Sequence, residues 1–97
     1  LGSYPASERR TEIRLFKGHV LRSQGRCQEA LTEYDAVLGK PAGGAWADDA
    51  LFFAALCQSK LGDSVSARQK LTSYLQRFPS GKHRAKVQSA LMAREAR

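Results

Sequence analysis

The chain has 97 residues, 42% of them hydrophobic, and its 16 Lys and Arg against 9 Asp and Glu give a formal charge of +7. This length allows one small domain, and the ordinary apolar content excludes wholesale disorder. No run of about 18 apolar residues could cross a membrane, and no charged-then-apolar leader pattern opens the chain.

Taken in order, Leu1, Gly2 and Ser3 read as the scar of a removed tag, and Tyr4 to Arg10, with Pro5 and no periodicity, as a lead-in. Residues 1–10 are therefore set apart, and the domain is expected over 11–97. A first helix is predicted from Thr11 to Gln24 with Ile13, Phe16 and Val20 inward and Gly25 closing it. A second, Cys27 to Leu38, carries Ala30, Leu31, Tyr34, Val37 and Leu38 on one apolar face. Gly39 to Ala45 (GKPAGGA) is rich in helix breakers and reads as a loop, with Trp46, the sole tryptophan, anchoring its end in the core.

The third helix is expected to start at Asp48 and Asp49, whose carboxylates suit the unpaired amides and positive dipole end of a helix N-terminus. Ala50, Phe53, Ala54, Cys57 and Leu61 then share a face. Gly62 supplies positive φ, Asp63 caps the next helix, and Ala67, Leu71, Tyr74, Leu75 and Phe78 form an apolar face that stops near Pro79. A closing helix follows from Ser80 to Ala96, with Val87, Ala90 and Leu91 inward. Laying Gly25 on Gly62 gives an offset of 37, which also sets Phe16 on Phe53, Ala30 on Ala67 and Leu38 on Leu75. A fixed period of 20 to 50 residues marks a helical repeat array. The fold expected is all-α: a right-handed solenoid of two hairpins, 11–44 and 45–80, and a capping helix over 81–97.

These residues resemble the tetratricopeptide repeat, a helical pair of about 34 residues with small residues at its eighth and twentieth positions, an aromatic at the twenty-fourth and proline at the thirty-second. Counted from Thr11, Gly18, Ala30 and Tyr34 fill the first three of these; counted from Asp48, Ala55, Ala67 and Pro79 fill the eighth, twentieth and thirty-second. Ala42 stands where the first proline belongs, and Leu71 replaces the second aromatic. The segments AWADDALFFAALCQSKLGD and YLQRFPSGKHRAKVQSAL further resemble the C-terminal repeats of the periplasmic Tol-Pal coordinator family and of related bacterial envelope and anti-sigma-type regulators. The resemblance implies a protein or peptide partner and a bacterial periplasmic or envelope-associated setting, a cytoplasmic regulator being the alternative. It also implies a concave groove lined by first helices, through Leu15, His19, Arg22 and Ser23, then Phe52, Leu56, Ser59 and Lys60, then Lys86 and Ser89. Phe52 and Leu56 lie off the stripe of Phe53 and Cys57 and would be partly exposed; the alternative is that Phe52 packs beneath a loop or another repeat.

Cys27 and Cys57 fall near the same end of the layer, which is compatible with a disulfide stapling the two hairpins and equally with two buried thiols. A bridge closing about 30 residues is worth roughly 3 to 4 kcal/mol in the chain-entropy model and belongs to an oxidising compartment. No nucleophile–base signature, phosphate loop or metal-ligand spacing is present, so neither catalysis, cofactor nor metal is expected. From Arg77 onward six Lys or Arg face one acid, Glu95, a local excess of five. That run is either a solvated face or, through Lys82 to Lys86, an anionic-surface or nucleic-acid contact, although it carries no aromatic to stack on bases. Two hairpins are few for an array, so self-association or docking against the remainder of a longer chain is expected.

Overall fold

A computed structural model describes residues 6–39 and 46–95, and among the described residues there are five α-helices and no strand. They are α1 (Ala6–Ser23), α2 (Cys27–Leu38), α3 (Ala47–Lys60), α4 (Ser64–Arg77) and α5 (Arg84–Glu95).

The offset of 37 is present in the backbone itself. α1 ends at Ser23 and α3 at Lys60, while α2 begins at Cys27 and α4 at Ser64. Both turns use the same hydrogen bonds: Gly25 N–H to the Arg22 carbonyl and Arg26 N–H to Leu21, then Gly62 N–H to Ser59 and Asp63 N–H to Gln58. This six-to-one and five-to-two pairing satisfies the last carbonyls of a helix and requires a left-handed residue at its centre. Gly25 (φ 78°) and Gly62 (φ 86°) supply it, a conformation costing a side-chain-bearing residue roughly 1 to 2 kcal/mol. Asp63 then accepts the Ser66 N–H at 3.1 Å and starts α4, as its position in the sequence predicts.

Each helix packs chiefly on its neighbours in the chain, α1 on α2, α2 on α3, α3 on α4 and α4 on α5. Two apolar clusters result. Leu15, Leu21, Ala30, Tyr34, Val37 and Cys57 belong to the first; Phe52, Leu71, Tyr74 and Val87 belong to the second. α3 lies between them, giving Ala50, Ala54 and Cys57 to one and Leu51, Phe52 and Ala55 to the other. Its small residues let neighbouring helices approach on both sides. Trp46 packs on the first cluster, and Val87 carries α5 into the second, with Ala90 and Leu91 partly buried.

α1 departs from expectation in two ways. It begins at Ala6, inside the segment read as a lead-in. It also buries another face: Leu15 and Leu21 are in the core with Thr11, while Ile13, Phe16 and Val20 are 60%, 55% and 54% exposed. The offset correctly equates Phe16 with Phe53, but α3 has α2 covering that side and α1 has no such cover among the described residues. α5 starts at Arg84, the stretch after Pro79 being turn, and Leu61 is exposed beyond the end of α3. The tag-like residues 1–3 and most of the glycine-rich loop lie outside the described residues.

Candidate functional site

Along one side of the molecule, rings from α1, α3 and the turn before α5 form a continuous seam. The His19 ring lies 4.9 Å from Phe53, Phe53 lies 5.5 Å from His83, and the His83 ring stacks on Phe52 at 4.1 Å and 5°. The Arg22 guanidinium sits 4.5 Å above Phe53, within range of the ring's negative face. Phe53 is partly buried and forms the floor of the seam.

Two buried tyrosines hold the polar members in place. At the α1 end, the Tyr34 hydroxyl lies 2.7 Å from His19 Nδ1 and accepts from Arg22 Nε at 3.3 Å. The Tyr34 hydroxyl thus bridges the His19 imidazole and the Arg22 guanidinium. Burial, reinforced by Arg22 and opposed by Asp49, lowers the His19 pKa. Burial raises that of Tyr34. At the α5 end, the Tyr74 hydroxyl donates to Asp48 Oδ1 at 2.5 Å and accepts the His83 backbone N–H at 2.9 Å. Burial first, then the Asp48 bond, pushes Tyr74 up to about 12.

Asp49 completes this end. His83 Nε2 donates to its Oδ1 at 2.7 Å, and Lys82 Nζ lies 3.2 Å from its Oδ2. Burial alone would raise the carboxyl, but the bonds from His83 and Lys82 outweigh it and hold Asp49 below the usual carboxylate range. Asp48, Asp49 and His83 present ligand atoms within 4.8 Å of one another, a spacing a divalent cation could use. Each is already engaged, however, by Tyr74, by His83 or by Lys82, whose ammonium brings the positive charge. The cluster works as a clasp joining the start of α3 to α4 and α5.

The residues expected to line a groove divide. His19 and Arg22 are on the seam. Leu15, at 2% exposure, and Phe52, at 6%, are core residues and offer no surface. Phe52 is covered because α4 and α5 close over that side of α3, so the half-open ring is its neighbour Phe53. Leu56 is partly buried against the second cluster, whereas Lys60 and Lys86 are exposed, at the end of α3 and on α5. Cys27 and Cys57 are both buried free thiols in the cluster shared by α2 and α3. Burial, with Cys27 adding to it, pushes the Cys57 thiol up to about 12.

Sequence reasoning missed Phe53, Tyr74, Asp49 and His83 as a group. Adjacent Asp48 and Asp49 read as helix-start residues on different faces, yet both reach the turn after α4. The signal available was charge complementarity between the acidic pair and the Lys82-His83 pair. Against protein-family models, curated proteins and solved structures alike, the chain has no match.

Proposed function

We propose that this chain is a protein-interaction module without catalytic activity of its own, built from two tetratricopeptide-like hairpins and a closing helix in a solenoid arrangement. The observation that carries the reading is the partly open seam of His19, Phe53 and His83 with Arg22 over its floor. A ring floor with a fixed guanidinium suits an extended or helical peptide that inserts an apolar side chain and brings a carboxylate beside it. The side chains that carry reactive groups here are consumed in holding the seam: Tyr34 and Tyr74 as neutral hydrogen-bond hubs, Asp48 and Asp49 in the clasp.

By the resemblance already described, the setting is a bacterial envelope-associated or regulatory protein. In the periplasm the paired thiols Cys27 and Cys57 would be oxidised to a bridge between the hairpins; in the cytoplasm they would remain two protected thiols. Selecting binders from a random peptide display library on the purified domain tests the function. Enrichment should converge on an aromatic or aliphatic anchor beside Asp or Glu, and Arg22→Glu should weaken the selected peptide by about tenfold or more. Failure of the library to converge, or binding indifferent to Arg22→Glu, would refute the groove.

The exposed positions of Arg84 and Lys86 favour a second reading, contact with an anionic surface or nucleic acid through α5. Its mark is affinity that falls by about three orders of magnitude or more between low and moderate salt.

A further inference from the structure

α1 carries a second apolar stripe that the seam does not use. Ile13, Phe16 and Val20, at i, i+3 and i+7, are each more than half exposed and share its outer face. The internal duplication says what kind of element belongs there. At the offset of 37 these residues correspond to Ala50, Phe53 and Cys57 of α3. On α3 that stripe is covered by α2: Ala50 and Cys57 are fully buried in the cluster that holds Cys27, Ala30, Tyr34 and Val37, and Phe53 packs against it. The surface open on α1 is therefore the surface this architecture covers with a helix.

Charge specifies the helix further. Around α3 the positions that correspond to Arg9, Arg10, Arg14 and Lys17 are Trp46, just before the helix, and Ala47, Leu51 and Ala54 within it, all apolar. On α1 the same rim is four exposed cations. Two of them already show what they accept: Arg14 and Lys17 lie 3.4 Å and 3.6 Å from the two carboxylate oxygens of Glu33 on α2. An open depression of about 280 Å³ runs beside them, walled by Arg10, Ile13, Arg14, Lys17 and Glu33. The helix that plays the covering part on α3 is itself acidic, α2 having Glu29, Glu33 and Asp35 and no Lys or Arg. A second copy of this chain would instead bring a cation rim against a cation rim, and like charges held close oppose the contact.

We propose that the outer face of α1 is a docking site for an acidic amphipathic helix from a partner protein. It would lie as α2 lies on α3, with apolar residues at i, i+3 or i+4, and i+7 over Ile13, Phe16 and Val20, and carboxylates along the edge facing Arg10, Arg14 and Lys17. This surface borders the His19–Phe53–His83 seam where the Phe16 ring lies 6.2 Å edge-on from His19, but it is built on Ile13, Phe16 and Val20 and not on Phe53, so either can fail without the other.

The test uses two designed helical peptides with the same leucine stripe, one flanked by glutamates and the other by lysines. They are titrated into the full chain by fluorescence anisotropy, and the site is read by amide shifts. The Glu-flanked peptide should bind with shifts centred on Ile13 to Val20, and the Lys-flanked twin should bind more than about tenfold more weakly. The double change Ile13→Ser with Phe16→Ser removes exposed side chains and should abolish binding while leaving the helical circular dichroism intact. Arg10→Glu with Lys17→Glu should reverse the preference between the twins. Equal affinity for both peptides, or no binding by either, overturns the proposal. So does sedimentation showing a dimer that Ile13→Ser with Phe16→Ser dissociates, which would give the stripe to a second copy.

Discussion

Gly18 lies on α1 against the Tyr34 ring of α2. A Cβ built there would fall 2.7 Å from Tyr34 Cε1, so the ring whose hydroxyl orders His19 and Arg22 lies directly against the α1 backbone. Alanine would add about 1 kcal/mol of helix propensity, but overpacking typically costs about 1 to 3 kcal/mol. Gly18→Ala is therefore expected to lower the urea midpoint, and the same change made in a Tyr34→Leu background should be neutral or stabilising. A stabilising Gly18→Ala in the wild-type chain would mean that the ring moves aside freely. His19 gives a second prediction at this scale. Its folded pKa is lowered, by burial first and then by Arg22, against the opposing pull of Asp49. The unfolded chain then binds a proton that the folded chain resists. The stability His19 permits is full above its unfolded pKa, about 6.5, and is lost as pH falls through and below that value. Urea midpoints measured from pH 7.5 down to 5.5 should fall more steeply for wild type than for His19→Gln, His83 being common to both. Parallel curves would contradict a His19 held neutral by its burial in the folded chain.

At the scale of elements, what is local in the chain was legible from it. The boundaries of α2, the glycines at 25 and 62, the Asp63 cap and the faces of α2 and α4 all follow from contacts a few residues apart. The face of α1 did not, because it carries two apolar stripes and periodicity does not say which one meets α2. Nor did the roles of Phe52 and Phe53. α3 is covered by α2 on one side and by α4 and α5 on the other, so nearly every direction around it is apolar and the pattern loses its contrast. The clasp was hidden for a different reason, since Asp49 and His83 lie 34 residues apart and meet only when α4 folds back. Cys27 and Cys57, 30 residues apart in the chain, likewise share one buried cluster between α2 and α3. With Cys57 pushed up to about 12, little thiolate exists at neutral pH. In the reduced native protein, alkylation of Cys57 at pH 8 should be slower than that of a free cysteine by on the order of a thousandfold, and denaturation should restore it. Rapid modification of Cys57 in the folded chain would contradict its burial.

As a whole the molecule is extended, 50 × 29 × 18 Å, with a Cα radius of gyration of 13.6 Å. A compact domain of this length is expected near about 12.5 Å. Helices laid one after another give two apolar clusters among the described residues in place of a single centre. The extended shape displays the ring seam, the cation-rimmed stripe of α1 and the basic start of α5. Mapping where a library-selected peptide shifts the backbone amides of the labelled protein distinguishes the seam from α5 directly. A peptide held in the seam should perturb His19, Arg22, Asp49, Phe53 and His83, with affinity changing by only about severalfold between low and moderate salt. Shifts confined to Arg84 through Lys86, with affinity collapsing as salt rises, would contradict the seam as the binding site and assign the module to an anionic surface.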